Sequence, residues 1–138
     1  MSIGRTLNLC CGTSNVGDIR VDIADQAIGK NMKASIFNLP FKPQTFDTVI
    51  VDPPFEYWNR FKWFRNASLL ARKRIMASSG LTSVRLKENV WRRSMVYFDK
   101  PGTGFLRMYW IFDRTNEAID ARRDPPSGGK VSDSEALK

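Results

Sequence analysis

The chain has 138 residues, of which 42% are hydrophobic, and it carries a formal net charge of +8 without any histidine. This length and composition predict one packed domain and exclude a disordered chain. Because histidine is absent, hydrolase triads and zinc chemistry are not expected, and no metal site is predicted. No stretch approaches the roughly 20 apolar residues of a membrane span, and the first residues lack the zones of a signal peptide, which predicts a cytoplasmic protein without a membrane partner.

Two short strand patterns open the chain. Residues 5–10 (RTLNLC) form an apolar run that stops at the turn around Gly12, and residues 19–23 (IRVDI) alternate apolar and charged side chains. The connection between them is shorter than a parallel crossover normally needs, so if the strands are parallel neighbours the first helix is reduced to a turn. Residues 24–33 fit a short helix, and residues 34–37 are a weaker strand candidate.

The clearest strand comes next. Residues 46–51 (FDTVIV) are apolar and β-branched, and the run stops at Asp52 because two prolines follow it, which cannot donate to a sheet ladder. Residues 56–78 place apolar side chains between basic ones at a spacing that predicts one or two amphipathic helices. Residues 81–86 (LTSVRL) then predict a further strand.

The last part of the domain has the pattern of a hairpin. Apolar runs at residues 94–98 and 105–112 flank a loop rich in proline and glycine at residues 100–104. Beyond Arg114 the chain becomes polar. We therefore expect one domain over residues 1–114 and a disordered tail over residues 115–138.

Charge and cysteine usage add two expectations. Residues 60–93 contain ten basic side chains and one acidic side chain, whereas the remainder of the chain is close to neutral. Such a block indicates a polyanion partner, because each neutralised phosphate releases a counterion; a solvated helix face is the alternative.

Cys10 and Cys11 are adjacent, which fits neither a metal site nor an ordinary structural disulfide, so both are expected to be reduced.

The order of these features resembles the class I S-adenosylmethionine-dependent methyltransferases over residues 5–114. The resemblance implies an α/β fold with a Rossmann-like, mostly parallel sheet and a C-terminal antiparallel hairpin, here in a minimal version with a shortened first helix. It also implies that S-adenosylmethionine lies over the carboxyl ends of the first strands. LNLCCGTS at residues 7–14 resembles the family's glycine loop, in which Gly12 allows close approach of the backbone to the cofactor.

The same resemblance assigns cofactor-binding roles to individual residues. Asp22 matches the family's acid that accepts hydrogen bonds from both ribose hydroxyls, and Ile23 would pack against the adenine ring. Ser35 stands where the family has an acid that contacts the adenine amine, so Asn38 or a backbone group is expected to substitute. The residues implied in cofactor binding are Asn8, Cys10, Cys11, Gly12, Asp22, Ile23, Asn38 and Leu39.

DPPF at residues 52–55 resembles the motif of the adenine and cytosine amino-methyltransferases, which some RNA guanine-methylating enzymes share. The resemblance implies that the Asp52 carboxylate and the Pro53 carbonyl accept the two protons of an exocyclic amine. Pro54 would help to stiffen the turn and Phe55 would stack on the base. The methyl donor already carries a positive charge, so attack needs no prior deprotonation and the lack of histidine is no obstacle.

The preferred hypothesis is therefore methylation of an exocyclic amine in DNA, with adenine before cytosine. The alternatives are an RNA base, a non-catalytic module that binds nucleic acid, and an enzyme acting on a protein side-chain amide or a small amine. The chain has little room for a target-recognition segment, so either its specificity is loose or a partner or second copy, as in a homodimer, supplies it. The residues expected to contact nucleic acid are Tyr57, Trp58, Arg60, Lys62, Arg65, Arg72 and Lys73.

Overall fold

A computed structural model of the chain describes residues 4–53, 62–78, 86–87, 90–99 and 106–116. The elements in these ranges are β1 (Thr6–Leu9), β2 (Ile19–Asp22), β3 (Met32–Lys33), β4 (Phe46–Val51), α1 (Lys62–Leu70), β5 (Ala71–Ser78), β6 (Trp91–Asp99) and β7 (Leu106–Arg114). α1 is nine residues long. Among the described residues, no helix has the length and apolar character needed to cross a bilayer.

The described strands form one seven-stranded sheet in the order β3-β2-β1-β4-β5-β7-β6. The first five strands pair in parallel with their neighbours, and β7 pairs antiparallel with both β5 and β6. The expected Rossmann-like, mostly parallel sheet with a C-terminal hairpin is thereby confirmed. The strand order reverses between β1 and β4, and open parallel sheets bind ligands at such a point.

The connections of the first three strands are short. β1 and β2 are parallel neighbours, and residues 10–18 between them contain turns and no helix, which confirms the reduced first helix. The helix predicted over residues 24–33 is wrong, because residues 24–31 form turns and β3 occupies two residues that precede the expected strand at 34–37. The Lys30 ammonium binds three carbonyls of the turn, those of Ala24, Asp25 and Ala27, which stabilises the turn conformation.

The prediction of helix through residue 78 is also wrong. The helix ends at Leu70, and the next eight residues form β5 in the middle of the sheet. The pairing of β4 with β5 shifts register between Phe46 and Thr48, opposite an extra residue in β5. Ala71 and Ile75 are both fully buried, but Lys73 between them is exposed, so the bulge interrupts the alternation of a strand and the apolar spacing imitates a helix in the sequence.

One face of the sheet is packed against α1. The α1 residues Trp63, Phe64 and Ala67 are buried, and the Phe64 ring lies 5.2 Å from the ring of Phe112 on β7. The sheet contributes side chains that are fully buried at alternate positions: Leu7, Leu9, Val49, Val51, Ile75 and Ala77. Burial of each large apolar side chain contributes roughly 1.5–3 kcal/mol to the free energy of folding, so the packing of the core fixes the positions of the strand ends.

Several sequence predictions fall outside the described residues. These are residues 56–61 of the predicted helix, residues 81–85 of the predicted strand and residues 117–138 of the predicted tail. The boundary expected after residue 114 coincides with the last residue of β7. The disorder of the tail stays a prediction.

Candidate active site at the carboxyl edge of the sheet

Four parallel strands end along one edge of the sheet, and we call this edge, with Cys10, Gly12, Asp22, Asp52 and Ser78, the carboxyl edge. Leu9 at the end of β1 pairs with Val51 of β4 on one side and with Val21 of β2 on the other. The chain therefore leaves the sheet at neighbouring points in three strands. Since adjacent strands lie about 4.8 Å apart, the backbones of Asp22 and Asp52 are separated by about 10 Å, with β1 between them.

The turn after β1 has left-handed backbone at two positions, Cys10 with φ of 56° and Gly12 with φ of 55°. Glycine adopts this conformation without a steric penalty, which is the role expected of Gly12 from the sequence. The Ser14 N–H closes the turn on the Cys11 carbonyl at 2.9 Å. A Cβ atom placed on Gly12 would meet nothing within 4 Å, so the space beside this residue is open.

Asp22 holds the glycine turn through its carboxylate. Its Oδ2 accepts the Gly12 N–H at 3.0 Å, and its Oδ1 accepts the Ala24 N–H at 2.9 Å. Each carboxylate oxygen has two lone pairs, so both can accept a further donor. Ile23, the next residue, is 58% exposed. An acid thus contacts Gly12, and an accessible apolar side chain follows this acid in the chain.

Asn8 and Gly29 both form hydrogen bonds to the loop that follows β1. The Asn8 amide nitrogen donates to the Val16 carbonyl at 3.0 Å and to the Ser14 hydroxyl at 3.4 Å, and Asn8 is buried. The Gly29 N–H donates to the Gly12 carbonyl at 2.9 Å, and a Cβ atom on Gly29 would lie 2.3 Å from the Ser14 carbonyl oxygen. Asn8 therefore stabilises the loop after β1 through hydrogen bonds. Residue 29 has to be glycine because the backbone of residues 12–14 lies too close to it for a Cβ atom.

Both cysteines are free thiols, as expected. Burial, followed by the negative charges of Asp22 and Asp52, raises the pKa of the Cys10 thiol to about 12. Burial likewise raises the pKa of Cys11. The Cys10 thiol is therefore uncharged at neutral pH.

Asp52 follows the last residue of β4 and is half-buried. Its N–H donates to the Leu9 carbonyl at 3.3 Å, and its Oδ1 accepts the Ser78 hydroxyl at 2.6 Å. Pro53, which carries the second proposed acceptor, is buried. The carboxylate therefore stands at the edge of the sheet rather than in the apolar interior, beside the point where the strand order reverses.

The segment after β3 also starts at this edge, because Lys33 pairs with Asp22 and the Ala34 N–H donates to the Asp22 carbonyl at 3.3 Å. Ser35 accepts the Phe37 N–H through its hydroxyl at 3.2 Å, and its carbonyl accepts the Asn38 N–H at 3.0 Å. The Asn38 side chain is exposed, whereas Leu39 packs against the core. The exposed Asn38 side chain thus belongs to the segment that leaves the carboxyl edge beside Asp22.

The basic residues are divided between the two edges of the sheet. Lys62 and Arg65 are exposed on α1, which runs from the side of the carboxyl edge back to the start of β5. Arg72 and Lys73 lie at the opposite edge, where their nitrogens approach Asp47 Oδ1 at 3.6 and 3.8 Å. We call this region, with Asp18, Asp47, Arg72 and Lys73, the amino edge.

The structure does not bring all predicted site residues together. The rise along β4 separates Asp47 from Asp52 by about 17 Å, so Arg72 and Lys73 are remote from the Asp52 carboxylate. Pro54, Phe55, Tyr57, Trp58 and Arg60 lie outside the described residues. The sequence reasoning missed Ser78 and Gly29. The signal for Ser78 was the alternation of Ile75 and Ala77, which marks a strand that ends at Ser78.

A comparison with protein-family models finds no match for the sequence, and a comparison with curated proteins finds none either. Solved structures do share the fold. TrmN from Thermus thermophilus matches 82% of this chain with a TM-score of 0.59 at 16% identity. A SAM-dependent methyltransferase from Thermotoga maritima, described as a possible histamine N-methyltransferase, matches 83% with a TM-score of 0.56 at 11% identity, and 83% of that chain is covered. The PH0226 protein from Pyrococcus horikoshii OT3 matches 81% with a TM-score of 0.51 at 12% identity, and 82% of that chain is covered.

These similarities establish the fold. The chain has a fold similar to that of a SAM-dependent methyltransferase. It spans 44% of the length of the TrmN chain that it matches.

Proposed function

We propose that this chain transfers a methyl group from S-adenosylmethionine to the exocyclic amine of a nucleic-acid base, adenine in DNA first and cytosine next. The observation that carries the proposal is the placement of Gly12, Asp22 and Asp52 together where the strand order reverses. Open parallel sheets bind ligands at that point. The fold shared with a SAM-dependent methyltransferase supports the choice of donor.

The residues of the carboxyl edge fit the methyl donor. Gly12 borders open space, the Asp22 oxygens keep lone pairs for ribose hydroxyls, and Ile23 exposes an apolar surface for an adenine ring. In this proposal Cys10, Cys11, Asn38 and Leu39 complete the donor site, and Asn8 shapes the turn. When bound, the donor supplies an electrophilic methyl group on a positively charged sulfur.

Asp52 and Pro53 would hold the acceptor. An exocyclic amine is a poor nucleophile because its lone pair is delocalised into the ring. Hydrogen bonds from its two protons to the Asp52 carboxylate and the Pro53 carbonyl draw the nitrogen toward tetrahedral geometry. The nitrogen then forms a bond to the methyl carbon, the electron pair of the broken carbon–sulfur bond stays on sulfur, and one N–H proton leaves to Asp52 or water.

The target base has to reach Asp52 outside a stacked duplex, which costs a few kcal/mol unless the substrate is single-stranded. We propose that Phe55, Tyr57 and Trp58 stack on the base and that Pro54 stiffens the turn. A strand that contacts Arg60, Lys62 and Arg65 as well as Arg72 and Lys73 would extend about 17 Å along β4, which corresponds to about five nucleotides where the bases stay stacked at 3.4 Å each and to fewer where the strand is extended. Shorter oligonucleotides are therefore expected to bind more weakly.

The proposal is tested by incubating the purified chain with labelled donor and, separately, DNA, RNA, protein or a small amine such as histamine. Nucleoside mass spectrometry then identifies the methylated base. We expect label in single-stranded DNA, on adenine before cytosine. Label on an RNA base would change the substrate within the same chemistry, whereas label only on protein or on the small amine would overturn the nucleic-acid part of the proposal.

A chain that binds the donor and DNA yet transfers nothing would instead be a binding module. Asp52→Ala separates the two cases, because it removes the proposed acceptor of the amine proton and leaves Gly12 and Asp22 in place. We expect transfer to fall to a small residual rate and donor binding, measured by calorimetric titration, to be retained. Transfer at the wild-type rate in Asp52→Ala would remove Asp52 from the mechanism.

A further inference from the structure

Ser78 is the last residue of β5 and belongs to the carboxyl edge. It is 5% exposed, and its hydroxyl donates to Asp52 Oδ1 at 2.6 Å. Ala77 and Val51, the residues that precede the two partners, are paired in register between parallel strands. The contact between Ser78 and Asp52 therefore follows from the sheet itself rather than from a loop.

This hydrogen bond has the properties of an orienting contact. A hydroxyl that donates to a carboxylate at this distance forms a charge-assisted bond, which is roughly twice as strong as a neutral one. The donor is buried and comes from a central strand, so its position is set by the packing of the sheet. Ser78 occupies one of the roughly four lone-pair sites that a carboxylate offers.

We propose that Ser78 is a positioning residue, which holds the Asp52 carboxylate in the orientation that receives the exocyclic amine. The proposal rests on the proposed function. In Ser78→Ala the carboxylate loses this orienting contact, so fewer complexes present the amine nitrogen in line with the methyl group. A misplacement of about 1 Å can lower a rate about 100-fold, and we expect kcat to fall about 10- to 100-fold.

Ser68 provides the matched control. It is also 5% exposed and its hydroxyl donates at 2.7 Å, but the acceptor is the Arg65 carbonyl within α1. Ser68→Ala thus removes a buried hydroxyl of the same kind away from Asp52. If loss of a buried hydrogen bond were the whole effect, both variants would lose similar stability and neither would lose kcat selectively.

The test measures kcat, the KM for a single-stranded oligonucleotide, the donor Kd and Tm for wild type, Ser78→Ala and Ser68→Ala. We expect the fall in kcat only for Ser78→Ala, with KM and donor Kd changed less than about 3-fold. Ser78→Cys keeps the volume with a weaker donor and gives an intermediate kcat; it also serves if the alanine variant fails to fold. A kcat within 2-fold of wild type in a folded Ser78 variant would overturn the proposal.

A double-mutant cycle separates positioning from structural support. If Ser78 acts through Asp52, adding Ser78→Ala to Asp52→Ala leaves the residual single-turnover rate unchanged, since there is no carboxylate left to orient. A further 10-fold fall in the double variant would show that Ser78 acts independently and would end the proposal. Absence of transfer by wild type on every acceptor refutes the proposed function and the role of Ser78 with it, whereas transfer by wild type that Ser78→Ala leaves unchanged refutes only the latter.

Discussion

Strand β4 has an aspartate at each end, and the two have different surroundings. Asp47, near the start of the strand, lies beside two cations, Arg72 and Lys73, in the bulged part of β5. Asp52, just past the end, accepts the neutral hydroxyl of Ser78. The first carboxylate is thus paired with two cations, whereas the second accepts a hydrogen bond from a buried neutral hydroxyl.

The same contrast occurs on β2. Asp18 precedes the strand, and its Oδ2 accepts the Thr6 N–H at 2.8 Å, which ties the start of β1 to the start of β2. Asp22 ends the strand and binds the glycine turn. Acids at the amino edge thus stabilise the sheet, whereas acids at the carboxyl edge arrange a loop that borders open space. Left-handed backbone at a non-glycine residue occurs beside both edges, at Cys10 after β1 and at Gln44 before β4, each with φ of 56°, so backbone strain does not distinguish the two edges.

The sharpest way to break this comparison is to neutralise the two aspartates of β4 in turn. Asp52→Asn is expected to lower kcat about 100- to 1,000-fold, the usual effect of removing one preorganised electrostatic contact. Asp47→Asn is expected to leave kcat within about 3-fold and to lower the unfolding free energy by about 1 kcal/mol. Methyl-transfer rates and urea denaturation measure both. Equal effects on kcat would mean that the edges are not functionally distinct.

The pair on β2 tests the donor site. Asp22→Asn removes the charge that is proposed to accept ribose hydroxyls, and since hydrogen bonds to charged groups contribute about 1.5–3 kcal/mol, donor Kd should rise about 10- to 100-fold. Asp18→Asn serves as the control and should leave donor Kd unchanged. The measurement is isothermal titration with S-adenosylmethionine. A normal Kd in Asp22→Asn would place the donor elsewhere.

Two glycines sharpen the account of the turn. Gly29→Ala brings a Cβ atom to 2.3 Å from the Ser14 carbonyl, and we expect about 2 kcal/mol of destabilisation together with weaker donor binding. Gly12→Ala meets no atom within 4 Å but has φ of 55°, so only the left-handed backbone is penalised, by about 1 kcal/mol. Thermal unfolding ranks the two variants. The reverse ranking would show that the backbone of residues 12–14 is not packed against Gly29.

Cys10 links the carboxyl edge to pH. Its pKa is raised to about 12 from 9.0, so the folded state retains the thiol proton at a pH where the unfolded chain has lost it. This contribution to stability is complete below pH 9 and is lost as pH rises from 9 toward 12, with a slope of at most about 1.4 kcal/mol per pH unit. Cys10→Ser should flatten this part of the curve measured by urea denaturation. An unchanged slope would assign the alkaline loss to other groups.

The smallest expected effect on stability belongs to Arg72→Ala at the amino edge. Its ion pair is 3.6 Å long and more than half exposed on the arginine side, so the unfolding free energy should change by no more than about 0.5 kcal/mol. If nucleic acid extends to this edge, the slope of log affinity against log salt concentration should decrease by about 0.9, as for Arg65→Ala on α1. An unchanged slope for Arg72→Ala alone would confine the nucleic acid to the carboxyl edge.

The sequence alone determined the parts of this protein that depend on local chemistry. β4 is evident because a β-branched run ends at two prolines, and the hairpin of β6 and β7 is evident because two apolar runs flank a proline- and glycine-rich loop. The turn at Gly12 follows from residues that stop a strand. Each of these signals lies within about ten residues of the element that it predicts.

Only the tertiary structure decided which side chains meet. The apolar residues of β5 have helical spacing in the sequence, and only the pairing with β4 shows that this segment is a strand with a bulge. The contact of Ser78 with Asp52 joins residues 26 positions apart. The parallel pairing of β5 with β4 likewise places Arg72 and Lys73 at the edge opposite Asp52, although they share one basic segment with Lys62 and Arg65. These outcomes depend on how neighbouring strands pair, because register sets which residues stand at the same height, and a one-dimensional pattern does not contain that information.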